Sequence, residues 1–167
     1  MKKIYSILVE NRAGVLSRVA GLFARRGYNI ESLVVGETED PLVSRMTVVS
    51  SGDSRIIEQI EKQLNKLVDV IKVQVLDMDN TIHRELLLIK VNCTTGNRGE
   101  IVDICNIMEG TIVDMSHSSV TLQICRRPEM IDLAIEMLTH YGIIEIAKTG
   151  LVALQKGSDS IALKKEK

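Results

Sequence analysis

Hydrophobic and polar positions along the chain switch between two periods. Tyr5, Ile7 and Val9 alternate with Ile4 and Leu8, so the opening segment carries apolar residues on both faces, as a central strand does. From Leu16 the spacing lengthens. Leu16, Val19, Ala20 and Phe23 mark one face of a helix and leave Arg18, Arg25 and Arg26 outside, and Gly27 ends the pattern. "YNIESLVVG" and "VSRMTVVSS" read as the next two strands, joined by the polar "ETEDPL". "DSRIIEQIEKQLNKL" predicts a second helix, capped by Asp53 or Ser54, with Ile56, Ile57, Ile60, Leu64 and Leu67 as its apolar stripe. Ile71, Val73 and Val75 then alternate with Lys72 and Gln74 in a closing strand.

After Leu76 a polar run begins, and the order of elements then repeats. "RELLLIKVN" is apolar on both faces, and Ile101, Ile104, Cys105 and Met108 form a helical stripe. "GTIVDMS" and "VTLQIC" read as strands. Pro128 suits the first turn of a last helix with Ile131, Ala134, Ile135 and Leu138 on its apolar face and Gly142 at its end. "IIEIAKTGLVAL" closes the unit as a strand, and the polar tail beyond it is expected to fray. The pattern predicts an α+β chain of two tandem ferredoxin-like βαββαβ sandwiches: residues 1–76, a linker at 77–82, residues 83–156, and a tail at 157–167. A fragment ending near Leu76 is expected to fold by itself. Each sheet keeps one face clear of helices, and the apolar residues there are expected to pack on another copy of the chain.

Composition narrows the function classes. The 167 residues are 45% hydrophobic and 26% charged with a formal net charge of -1, which gives no electrostatic reason to expect nucleic acid or an anionic membrane as a partner. Ferredoxin-like modules that bind RNA stack bases on exposed sheet aromatics, and this chain offers only Phe23 and the tyrosines Tyr5, Tyr28 and Tyr141. Cys93, Cys105 and Cys125 lie at no ligand or redox spacing and read as buried thiols in a reducing compartment. The apolar run after Lys2 and Lys3 is too short for a signal peptide, so the expected location is the cytoplasm.

No catalytic or metal-binding constellation emerges. His83, His117 and His140 are isolated from one another and read as surface or capping histidines. The run Ser116, His117, Ser118, Ser119 reads as a loop, because a nucleophile and its base come from separate elements. "TGNRG" lacks the glycine spacing and the lysine of a phosphate loop. Glu58 and Lys62 read as an exposed i, i+4 pair.

The pattern that carries chemistry is "ENRAGVLSRVAGLFARRGYNIES". Asn11 to Gly14 is a turn that feeds a helix start, where free amides and the positive end of the helix dipole receive a carboxylate. Asn29 follows the helix end and can offer an oxygen to an ammonium group. With Val15, Leu16 and Ile30 as apolar neighbours, these groups describe a site for an aliphatic amino acid. Read without ligand, both turns are simply helix caps.

"ILVENRAGVLSRVAGLFARRGYNIESL", "DPLVSRMTVVSSGD" and "IEKQLNKLVDVIKV" together resemble the small, regulatory subunit of acetohydroxyacid synthase (acetolactate synthase), whose first half is an ACT domain. The resemblance implies a non-catalytic partner of a larger subunit that carries thiamine diphosphate, magnesium and FAD, with no cofactor in this chain. It implies activation of that subunit and feedback inhibition by valine, in the pathway to valine, leucine and isoleucine. It also implies a homodimer through the ACT domains, with Asn11, Gly14 and Leu16 of one chain facing Asn29 and Ile30 of the other. The alternatives are a free-standing amino-acid-binding module that acts on another protein, and an enzyme in its own right.

Overall fold

Nine-residue β1 (Lys2–Glu10) lies at the centre of the first sheet because both of its faces are apolar, and it pairs antiparallel with β3 (Val43–Ser51) and β4 (Val70–Leu76). β2 (Ser32–Glu37) adds to β3 as an edge strand, giving the order β2-β3-β1-β4. Helices α1 (Val15–Arg26) and α2 (Ser54–Leu64) cover one face. Tyr5, Ile7 and Val9 meet Val19, Phe23, Ile60 and Leu64 there. Of the two caps proposed for α2, Asp53 is the one observed: its Oδ1 accepts from the Ile56 amide at 2.8 Å. Glu58 and Lys62 pair at 2.5 Å, as expected.

The computed structural model describes residues 1–161. A 3₁₀ turn at Met78–Asn80 leads into β5 (Thr81–Asn92), and the second half repeats the first with α3 (Arg98–Ile107), β6 (Thr111–Met115), β7 (Ser119–Arg126), α4 (Pro128–Thr139) and β8 (Ile143–Lys148). Its order β6-β7-β5-β8 matches that of the first sheet element for element. The predicted stripe Ile101, Ile104, Cys105 and Met108 is buried against Leu87, Ile89 and Val91. The serine-rich run is a turn, with Ser116 Oγ accepting from the Ser118 and Ser119 amides.

Several details depart from the sequence reading. Helix α1 buries Val15, Val19, Leu22 and Phe23, so its inner stripe is rotated from the predicted one and Leu16 is left 44% exposed. Residues 28–31 precede β2 instead of belonging to it, because Tyr28 and Ile30 turn into the core. His83 is buried, and Cys125 is exposed where a buried thiol was expected.

The largest difference concerns the end of the chain. The expected closing strand breaks at Thr149 to Leu151, and β9 (Val152–Gln155) pairs with β5 instead of continuing β8. Residues 151–161 cluster with Met1–His83, and Arg84–Gly150 form the second unit. Leu151 and Ala153 pack on Ile4, Val49 and Leu76, on the face of the first sheet opposite its helices. That face was expected to be covered by a second copy, and this chain's own end covers this part of it. The expected frayed tail includes Ile161, which is 4% exposed; residues 162–167 lie outside the described range.

The first core holds one of several buried polar atoms that lack a hydrogen-bond partner among the described residues. Tyr5 is fully buried and its hydroxyl has no hydrogen-bond partner among the described residues. Burial first, then the charge of Glu61 and neighbouring Tyr28, push its pKa up to about 12. Tyr5→Phe removes an unsatisfied hydroxyl and keeps the ring contact with Phe23. It is expected to raise stability by about 1 kcal/mol, read as a later urea midpoint at unchanged slope.

Candidate functional site

Two helices start in opposite ways. The first turn of α2 is closed by Asp53, whereas α1 begins at Gly14 with φ 86 and no side-chain cap. The Val15 and Arg18 amides reach the Arg12 and Gly14 carbonyls at 3.4 and 3.1 Å. The Leu16 and Ser17 amides meet no acceptor among the described residues outside the helix. This start is therefore open to an anionic group, with the helix dipole favouring it. Gly14 is required for the turn, because its left-handed backbone disfavours a side chain. A Cβ there would also lie 3.4 Å from Arg18 Nη1.

Asn11 holds the same end of the sheet together. Its Nδ2 donates to the Pro41 carbonyl at 2.8 Å and to Glu37 Oε1 at 3.1 Å, and its amide donates to the Leu42 carbonyl at 2.8 Å. Val15 is in the core and supports the turn from beneath, whereas Leu16 faces outward.

An ion cluster missed by the sequence reading stands beside this turn. Asp69, with 6% of its side chain exposed, accepts from Arg12 Nη2 through Oδ1 and from Arg18 Nε through Oδ2, both at 2.5 Å. Arg12 Nε also contacts Glu10 Oε2 at 2.8 Å. Arg12 and Arg18 are close in sequence, but Asp69 comes from the turn before β4, so no local pattern announces the cluster. The hydrogen bond from Arg12, followed by that from Arg18, holds the Asp69 carboxyl below its usual range. A carboxyl with a depressed folded pKa stabilises the fold above its unfolded pKa of about 4, and the contribution is lost as pH falls through the folded value. Asp69→Asn is therefore expected to unfold at lower urea than wild type at neutral pH, and the gap is expected to shrink below about pH 4. Urea midpoints measured across that range check it.

Asn29 is elsewhere. Gly27, with φ 68, closes α1, and the Tyr28 amide returns to the Phe23 carbonyl at 3.0 Å. The Asn29 carbonyl accepts from Ser50 Oγ at 2.6 Å, which leaves its side chain exposed, and Ile30 is half-buried. The two turns thus flank a 12-residue helix, about 18 Å long at 1.5 Å per residue. One chain does not bring Asn11 and Asn29 together.

The fold and the open helix start place the chain among ACT-domain regulatory proteins. Residues 5–72 match the family model described as the AHAS small subunit-like ACT domain, and residues 84–157 match that of the small subunit of acetolactate synthase. The chain belongs to the acetolactate synthase small-subunit family, as a regulatory rather than a catalytic subunit. It is 49% identical over 156 residues to the probable acetolactate synthase small subunit of Methanothermobacter thermautotrophicus, covering 93% of each chain. It is 44% identical to the acetolactate synthase small subunit of Haemophilus influenzae, covering 96% of this chain and 99% of that one. The crystal structure of the Thermotoga maritima small subunit superposes with a TM-score of 0.89 at 40% identity, over 95% of this chain and 99% of that chain. Among the described residues no helix is long and apolar enough to cross a membrane.

Proposed function

We propose that this chain pairs with a copy of itself along β2 and binds valine, or a related branched-chain amino acid, between the copies. Asn11, Gly14 and Leu16 of one copy then face Asn29 and Ile30 of the other, with Val15 supporting the turn from the core. The observation that carries this reading is the uncapped start of α1, which offers the Leu16 and Ser17 amides to a carboxylate. The edge position of β2 is consistent with it, because an unpaired strand edge is a template for a second chain. So is the separation of the two turns within one copy, since a two-fold pairing brings opposite ends of α1 together.

In this reading the protein acts in the cytoplasm on an acetolactate synthase catalytic subunit, which holds the thiamine diphosphate, magnesium and FAD. It raises that subunit's activity and transmits valine binding as feedback inhibition, through a coupling of about 1 to 3 kcal/mol. Calorimetric titration of valine into the purified chain, with sedimentation on the same sample, tests the site. A dimer that binds valine, and loses binding on Asn29→Ala, is expected. A monomer, or binding unchanged in Asn29→Ala, contradicts the proposed site.

A further inference from the structure

The sheet face opposite α1 and α2 carries a second feature. Leu151 and Ala153 seal its Ile4, Val49 and Leu76 end, but residues 154–161 stand off the Leu8 and Arg45 end. A cavity of about 430 Å³ lies between them, within the range of small-molecule sites. Leu8 and Arg45 face each other across the β1–β3 pair and form its floor, and Gly36 beside Arg45 on β2 leaves open space above the backbone. Val43, Leu154 and Ile161 add apolar wall.

Arg45 does not fit a purely structural role. Its Nε is buried and has no hydrogen-bond acceptor among the described residues, although Gln74 and Gln155 on the same wall bond to each other. A guanidinium donor without an acceptor is costly, and a carboxylate is the group that its fork matches. Burial also lowers its pKa, with Glu39 opposing the shift. Among the described residues that line the cavity Arg45 is the one basic side chain, and the exposed Glu39, Asp40 and Asp159 stand at its rim.

We propose that this cavity binds a small aliphatic carboxylate, its acid group on Arg45 and its apolar body against Leu8, Val43 and Ile161. The site lies within one chain and needs no second copy, so it stands independently of the effector site at the α1 turn.

Two probes with one carbon skeleton, leucine and 4-methyl-2-oxopentanoate, separate a ligand whose ammonium uses the acidic rim from one held by Arg45 alone. Amide chemical shifts of the full chain give a residue-resolved readout. Saturable shifts at Val43, Arg45 and residues 157–160 with either probe are expected, weakened about tenfold or more in Arg45→Leu. Leu154→Trp, at an exposed strand position, fills the cavity without opening the core and is expected to abolish the same shifts. Ligand-free Arg45→Leu is expected to melt a few degrees higher, about 2 to 4 °C, since it loses an unsatisfied donor. Silence from both probes, shifts confined to residues 16–18 and 30, or binding unchanged in both variants overturns the proposal. Shifts confined to those effector residues leave the valine reading intact.

Discussion

Gly14→Asp is expected to shift feedback inhibition to roughly ten- to a hundredfold higher valine while leaving the protein folded and able to activate its partner. The new carboxylate would stand at the open start of α1, beside the Leu16 and Ser17 amides and within reach of Arg18, whose Nη1 lies 3.4 Å from the Cβ position. It would thus occupy from within the chain the place proposed for the ligand's carboxylate, and repel that group. The cost to the fold comes from the backbone. Gly14 has φ 86, and a side chain in a left-handed conformation costs about 1 to 2 kcal/mol, less for Asp and Asn than for other residues. Losing a charge-assisted contact costs about 1.5 to 3 kcal/mol, or roughly ten- to a hundredfold in valine affinity. Gly14→Ala separates the two effects, because it carries the backbone strain without the carboxylate. Valine titration of both variants, alongside their urea midpoints, is the check. Equal loss of valine binding in Gly14→Ala and Gly14→Asp would assign the effect to the turn's geometry alone.

A chain that ends near Leu76 is expected to fail as an independent domain, contrary to what the boundary read from the sequence suggests. Such a fragment lacks Leu151 and Ala153 and leaves Ile4, Val49 and Leu76 open to water. Within the full chain, Leu151→Ala reproduces part of the same loss. A buried leucine truncated to alanine costs about 2 to 5 kcal/mol, a large share of the roughly 5 to 15 kcal/mol that holds a domain together. The fragment is expected to lose its near-ultraviolet dichroism and to bind a hydrophobic dye. Leu151→Ala is expected to unfold at markedly lower urea. A fragment of residues 1–76 as stable as the full chain would show that the segment from Leu151 onward contributes little.

The repeated order of elements was legible because each strand and helix writes its own period locally, and β1 and β5 are apolar on both faces as central strands must be. The phase of α1 was less legible. Val15 and Leu16 are both apolar, and only packing against β1 decides which one turns inward. Long-range choices left no local trace. Leu151 and Ala153 read as the continuation of a strand, and nothing near them in sequence points to Ile4 or Val49. Asp69 likewise looks like an ordinary turn residue until the fold brings it to Arg12 and Arg18. At the candidate site the residue types were readable, since an asparagine and a glycine before a helix suggest an open start. The left-handed backbone of Gly14 and the anchoring of Asn11 to Glu37 and Pro41 required the structure.

The central claim is that this chain regulates an acetolactate synthase catalytic subunit and makes it answer to valine. Acetolactate formation by the purified catalytic subunit, measured with and without this chain across a valine series, tests it most directly. Higher activity when the chain is added, lowered by valine, and retained at the same valine concentrations with Gly14→Asp, is the expected result. Activity unchanged by the chain, or inhibition by valine that does not depend on its presence, would contradict the account.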